Sequence, residues 1–268
     1  IGSSDNHNAT AVGDEDDFYG VSGLLDSDGQ KRGSLPLDST DNNSDLYFDR
    51  YARFGASGLA GVWAEENTRE SIYDAMRRKE TFGTSGPRLK IRFFAGHDLP
   101  LVDDDDLIAK SYSNGVSMGG NLIAEDTQPF AFIAWAAKDP NSAPLQRLQI
   151  VKGWVDAGQA HERVYDVACA DGLEVDSLTH RCPGNGATVD LTDCRVSSGV
   201  GAAEIKANWE DPEYDSTQHA FYYVRAIENP TCRWSTWDAV RAGISPREDI
   251  PATIQERGWS SPIWISPK

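Results

Sequence analysis

From Arg88 to the C-terminus the chain repeats one pattern, and that pattern limits the folds open to it. Short segments, apolar or alternating apolar with polar, recur between clusters of Gly, Pro, Asn and Asp: residues 88–95, 130–137, 145–152, 163–168, 202–207, 220–227 and 262–266. On an extended backbone successive side chains point to opposite faces, so each segment has one face to bury. About seven strands of this length are expected to pair antiparallel and close two sheets over one core, a β-sandwich-like domain over 87–268. The 39% apolar content and eight tryptophans supply material for that core.

Upstream the character differs. Residues 9–55 are rich in Gly, Ser, Asp and Asn with little periodicity, so mostly loop is expected there, with a short helix over 45–54. Loops this long usually carry function or are insertions. The spacing predicts one clear helix over 68–79. Asn67 is placed to cap it and Glu70 to reach back, while Ile72, Ala75, Met76 and Lys79 form the packed stripe. Arg77, Arg78 and Lys79 suit the negative end of the helix dipole. Thr84-Ser85-Gly86-Pro87 then breaks the chain, which sets a domain boundary near 87, with residues 1–86 as the first domain.

Charge narrows the partners. Forty-two acids against 25 bases leave a formal charge of −17, a field that repels nucleic acid and anionic membranes. No apolar run approaches the roughly 20 residues a membrane helix needs. The excess is concentrated early: residues 1–50 hold eleven acids and three bases, read first as a solvated acidic surface. Cys169, Cys182, Cys194 and Cys232 form no C-x-x-C pair, which argues against a structural zinc site. One or two disulfides in an oxidising compartment, periplasmic or secreted, are expected; three pairings remain open, as do four buried thiols.

The chemistry is expected at Asp5-Asn6-His7. Residues i and i+2 of a strand share a side, so Asp5 and His7 offer one carboxylate and one imidazole to a common point, a donor pair suited to zinc, manganese or iron. Glu65, Glu66 and Arg69, at the start of the predicted helix, are candidates for substrate or catalytic roles, against a plain reading as dipole complements and surface ion pairs. The acids 103–106 and 14–17 read as solvated loops, although 14–17 are close enough to Asp5 to line a pocket mouth. Trp234 and Trp237 read as core. The chemistry of Glu256-Arg257 and Trp259 is not legible.

Several runs carry a resemblance. Ile1-Gly2-Ser3-Ser4-Asp5-Asn6-His7-Asn8 is similar to the last metal-binding motif of the PHP (polymerase and histidinol phosphatase) superfamily. More specifically, the chain resembles the DUF3604 family. It does so through that segment, through the runs from Gly58 to Glu70 and from Arg78 to Arg88, through Arg233-Trp234-Ser235-Thr236-Trp237-Asp238, and through the run from Ile254 to Trp264. The resemblance implies an α/β plus β fold class: the C-terminal end of a PHP-type (β/α) barrel in 1–86, followed by the sandwich. It also implies a centre of two or three divalent metals in the complete protein, with Asp5 and His7 as ligands. The remaining ligands, beginning with an H-x-H, would come from a preceding segment of the same protein.

The expected function is a metal-dependent hydrolase of small anionic esters, phosphate esters first, with another ester or an amide as a further option. The alternative is a non-catalytic β-rich module that binds a glycan or a protein beside a structural PHP remnant.

Overall fold

A computed structural model describes residues 2–3, 7, 13–23, 25–37, 47, 54–124 and 128–268. In chain order its helices are α1 (Gly29–Arg32), α2 (Arg69–Arg77), α3 (Leu107–Asn114) and α4 (Trp234–Ala242), preceded by a 3-10 turn at Glu15–Asp17. The strands are β1 (Leu59–Val62), β2 (Thr81–Thr84), β3 (Lys90–Gly96), β4 (Val116–Ser117), β5 (Asn121–Ile123), β6 (Ala131–Ala137), β7 (Leu145–Asp156) and β8 (Gln159–Cys169). They continue as β9 (Val189–Asp190), β10 (Arg195–Val196), β11 (Glu204–Glu210), β12 (Ala220–Glu228), β13 (Thr231–Cys232), β14 (Thr253–Ile254), β15 (Arg257–Ser260) and β16 (Ile263–Ser266).

Two sheets dominate. The larger runs β1-β2-β15-β12-β16-β5, with β7 on the other edge of β12 and β8 beyond it; the smaller runs β11-β6-β3-β4. Only β16 and β5 pair in parallel among the described residues. Period-two alternation builds the core between the sheets. Ile91, Phe93 and Ala95 of β3, Phe132, Ala134 and Ala136 of β6, and Ala220, Tyr222, Val224 and Ala226 of β12 all face inward and are buried. The opposite face of the smaller sheet packs Phe94 and Ile133 against Leu107 of α3.

β15 and β16 are two pieces of one line along β12. The break falls at Ser261-Pro262, where proline has no N–H to give a ladder. Beside the break the Ser260 hydroxyl stands in for a strand carbonyl, accepting the Val224 N–H at 2.9 Å. All seven expected strand segments are present, each within a few residues of the sequence reading.

Several expectations need correction. Among the described residues there is no (β/α) barrel. β1 and β2, which flank α2, pair antiparallel with each other, and β2 pairs with β15. The strands on either side of residue 87 thus share one sheet with the rest of the sandwich. These two strands were missed because Leu-Ala-Gly-Val and Thr-Phe-Gly-Thr are glycine-containing and short. The Phe82 ring lies over Gly61, where a Cβ would stand 2.1 Å from it. In α2 the cap is Thr68 and not Asn67, its side chain accepting the Ser71 N–H at 3.3 Å. Only Ala75 of the expected stripe is buried; Met76 is 54% exposed and Lys79 has left the helix at φ 60°. The helix expected over 45–54 lies outside the described residues except for Tyr47 and Phe54.

The acidic first segment is not merely solvated. Glu15 is buried and accepts the N–H groups of Ala56 (2.7 Å) and Trp234 (2.8 Å). Asp26 is fully buried, closing its own loop by accepting from Val21 and Ser22. Arg32 meets Asp238 of α4 through two hydrogen bonds, 2.8 and 2.6 Å. Bidentate pairing of this kind fixes orientation as well as charge. Residues 13–23 and 25–37 are thereby tied to α4, where the Phe18 ring lies 4.8 Å from that of Trp234 at a 34° tilt.

Candidate functional site

Asp5 lies outside the described residues. His7 is exposed, and its backbone N–H donates to the Val21 carbonyl at 2.8 Å. Among the described residues no group of three or more His, Cys, Asp or Glu is arranged to hold a metal ion. His97 is stacked on Phe130 and His161 on Trp154, while His180 meets Tyr165 edge-on, so these imidazoles are dispersed over the sandwich.

Glu65, Glu66 and Arg69 are all exposed in the turn from β1 into α2. Glu65 borders an open cleft of about 640 Å³ beside Trp63, Glu80, Arg92 and Tyr112. Glu66 contributes a backbone N–H to the Ser71 hydroxyl. The Arg92 guanidinium lies 3.6 Å from the Trp63 ring centroid, and buried Glu80 accepts from Tyr112 and Ser117. The structure thus brings one of the three candidates to a cleft. Of the acids at 103–106, Asp104 is held by Lys110 at 2.8 Å, a surface pair on the start of α3.

The most unusual chemistry lies elsewhere, in a cleft of about 540 Å³ walled by residues 13–16, the turn 141–144, the Cys194–Cys232 disulfide, Trp237 of α4 and Glu256. Glu256 sits between β14 and β15 and is only 4% exposed. Its Oε2 accepts the Ser85 hydroxyl, and Ser85 in turn accepts the Arg257 N–H at 2.8 Å. Its Oε1 is buried with no hydrogen-bond partner among the described residues. Behind it Glu228 ends β12, fully buried; Oε2 accepts the Ser142 hydroxyl at 2.5 Å and Oε1 is likewise bare.

Burial is the main force on both acids, since a carboxylate loses hydration there. It pushes Glu228 up to about 8, with Glu256 adding repulsion, and Glu256 up to about 7, with Glu15 and Asp14 adding theirs. Asp14 is also raised, by burial and by the charges of Asp16 and Asp139. A carboxyl that titrates near neutrality can hold or release a proton at working pH, and it is also a ready acceptor for a cation.

The sequence singles out Glu256 without disclosing its chemistry and gives Glu228 no role, yet Glu228 carries a signal. The inward positions of β12 run 220, 222, 224, 226, and the next step of two is 228, an acid on the core face. Glu256 lies in the run from Ile254 to Trp264 that carries the family resemblance, but its chemistry depends on Ser85, 171 residues away. Of the two tryptophans read as core, one is core and the other is only partly enclosed. Trp234 is buried core, and Trp237 is half-buried on the cleft wall.

The runs Thr84-Ser85-Gly86-Pro87, Arg233 to Asp238 and Ile254 to Trp264 are distant in sequence. They meet here, Pro87, Trp237 and Glu256 lining one cleft. Comparison with curated proteins and with solved structures finds no match. A family model described as "Protein of unknown function (DUF3604)" matches residues 1–267, the converging runs included, and the chain therefore belongs to the DUF3604 family.

Proposed function

We propose that this protein is a metal-dependent hydrolase of the PHP superfamily that acts on small anionic esters, phosphate esters first, with Asp5 and His7 among its metal ligands. What supports the reading is the D-x-H segment at the head of a family match that spans 1–267. Among the described residues no group fits a metal centre, so two or three zinc, manganese or iron ions would draw their other ligands from beyond the described residues. Such a centre, when loaded, supplies hydroxide at neutral pH by lowering the pKa of bound water. In a chain of charge −17 it would also reverse the local sign for an anionic substrate. Glu65, at its cleft, is the better placed of the exposed candidates for contact with substrate; Glu66 and Arg69 are kept as weaker ones. The compartment proposed is periplasmic or secreted, because both cysteine pairs are disulfides; among the described residues no helix is long and apolar enough to cross a membrane.

The test is metal content and ester hydrolysis of the full-length protein, with Asp5→Ala and His7→Ala beside it. Stoichiometric transition metal, lost with activity in both variants, is expected. A protein without such metal, whose Asp5→Ala form hydrolyses esters as before, ends the hydrolase reading.

A second reading, a β-rich module that binds a glycan, is favoured by one feature. On the outer face of the larger sheet, the rings of Phe221 and Trp264 lie 5.1 Å apart at a 49° tilt beside a groove of about 450 Å³. Trp264 is 47% exposed. Saturable oligosaccharide binding abolished by Trp264→Ala would favour this module; no binding to an oligosaccharide panel would remove it.

A further inference from the structure

We propose that the cleft at Glu256 binds a small organic ammonium ion, with Glu256 receiving the charged head. Asp14, Glu15, Asp16 and Glu256 line this cleft; among the described residues no Lys or Arg lines it, although Arg88, Arg233 and Arg257 act on these acids from behind the lining. An acidic lining alone is not a site. The independent sign is the Glu256 side chain, 4% exposed, with Oε1 facing no donor among the described residues. Such an atom is costly to bury unless something charged or hydrogen-bonding meets it.

The geometry selects the kind of cation. A divalent ion needs several oxygens converging within about 2.0–2.6 Å, and no three acidic or imidazole groups of the described residues converge so. An ammonium asks less: one charge-assisted hydrogen bond, with its other N–H groups free to find single acceptors. Ser142 and Asn141 offer such acceptors on the cleft wall. Pro144, Val196 and Trp237 add apolar surface for a hydrocarbon body, and about 540 Å³ suits a small molecule better than a bare ion. The inference stands apart from the hydrolase reading, since Asp5→Ala is expected to leave it untouched.

Calorimetric titration of the full chain decides it, with n-butylammonium chloride as the probe and n-butanol as its neutral isostere. N-acetyl-lysine N-methylamide presents the same head on a peptide side chain and separates a free amine from a peptide as the source. Saturable binding of at least one ammonium probe is expected, with none of n-butanol. The affinity should fall at least tenfold in Glu256→Gln. In Asp16→Asn, an exposed position that does not threaten folding, it should fall several-fold. Circular dichroism checks that Glu256→Gln is folded. Equal uptake of n-butanol, no binding of either ammonium probe, or an unchanged affinity in Asp16→Asn and folded Glu256→Gln would overturn the proposal, as would calcium chloride binding where the amines do not.

Discussion

Among the charged side chains buried in this protein, two sets are finished differently. Around Asp211 everything is met. Its Oδ2 accepts Lys152 Nζ at 2.5 Å and the Tyr222 hydroxyl at 2.7 Å, and its Oδ1 accepts the Glu213 N–H at 2.9 Å. Lys152 gives a further hydrogen bond to the Glu213 carbonyl and lies 5.2 Å from the Trp154 ring centroid. Around Glu228 and Glu256 each acid has one serine donor and, among the described residues, one bare oxygen. The first set has the completeness of a structural ion pair. The second has the incompleteness of a site, where unsatisfied groups are kept for something else to meet.

The contrast is sharpest under mutation. Asp211→Ala leaves a 2% exposed ammonium without its carboxylate, a change that typically costs about 3–5 kcal/mol. Urea unfolding should show the largest loss of stability for this variant. Glu256→Gln keeps the shape and removes only a charge that the fold already disfavours, so it should be neutral or stabilising at pH 8. Equal losses in the two variants would mean that the two buried sets do not differ in kind.

A pH series gives the next effect. In the folded chain Glu228 holds its proton up to about 8 and Glu256 up to about 7, whereas the unfolded value is 4.5. Between those limits the folded state binds more protons, so stability must fall as pH rises. The decline should begin near pH 4.5, level off just above pH 8 and amount to a few kcal/mol in all, by the linkage of pKa to stability. Acids with lowered values, such as Asp28 and Asp249, act in the opposite sense and only below about pH 4. Glu228→Gln should flatten much of the slope. A stability flat from pH 5 to 8 in the unaltered protein would show that the pair is not buried as described.

How much of this was legible in sequence follows from range. The seven strands were, because alternation is a local signal and burial of one face enforces it. β1 and β2 were not, since Gly61 and Gly83 blur alternation and their membership in the sheet is decided by β15, some 170 residues on. Thr68 and Asn67 are both good caps, and only the backbone geometry chooses between them. For the site, alternation along β12 pointed to Glu228. The Glu15 carboxylate's bonds to Ala56 and Trp234, and the Ser85–Glu256 contact, are long-range pairings with no periodic trace. Acids therefore read as solvated surface until the fold shows which of them are enclosed.

The smallest expected effect is at Ser85. Its hydroxyl donates to Glu256 and accepts the Arg257 N–H, so Ser85→Ala removes the one donor Glu256 has and leaves a strand N–H to find water. Loss of a hydrogen bond of this kind costs on the order of 1–2 kcal/mol. The size should depend on the charge of Glu256. At pH 5 the carboxyl is neutral and loses little, whereas at pH 9 it is a carboxylate whose hydroxyl donor has gone, so the penalty grows with pH. The serine holds the Glu256 value down, so the variant should titrate above about 7, read by carbon-13 NMR of the side-chain carboxyl. An unchanged titration together with a pH-independent cost would mean that Ser85 serves only the Arg257 backbone, and that Glu256 is held by burial alone.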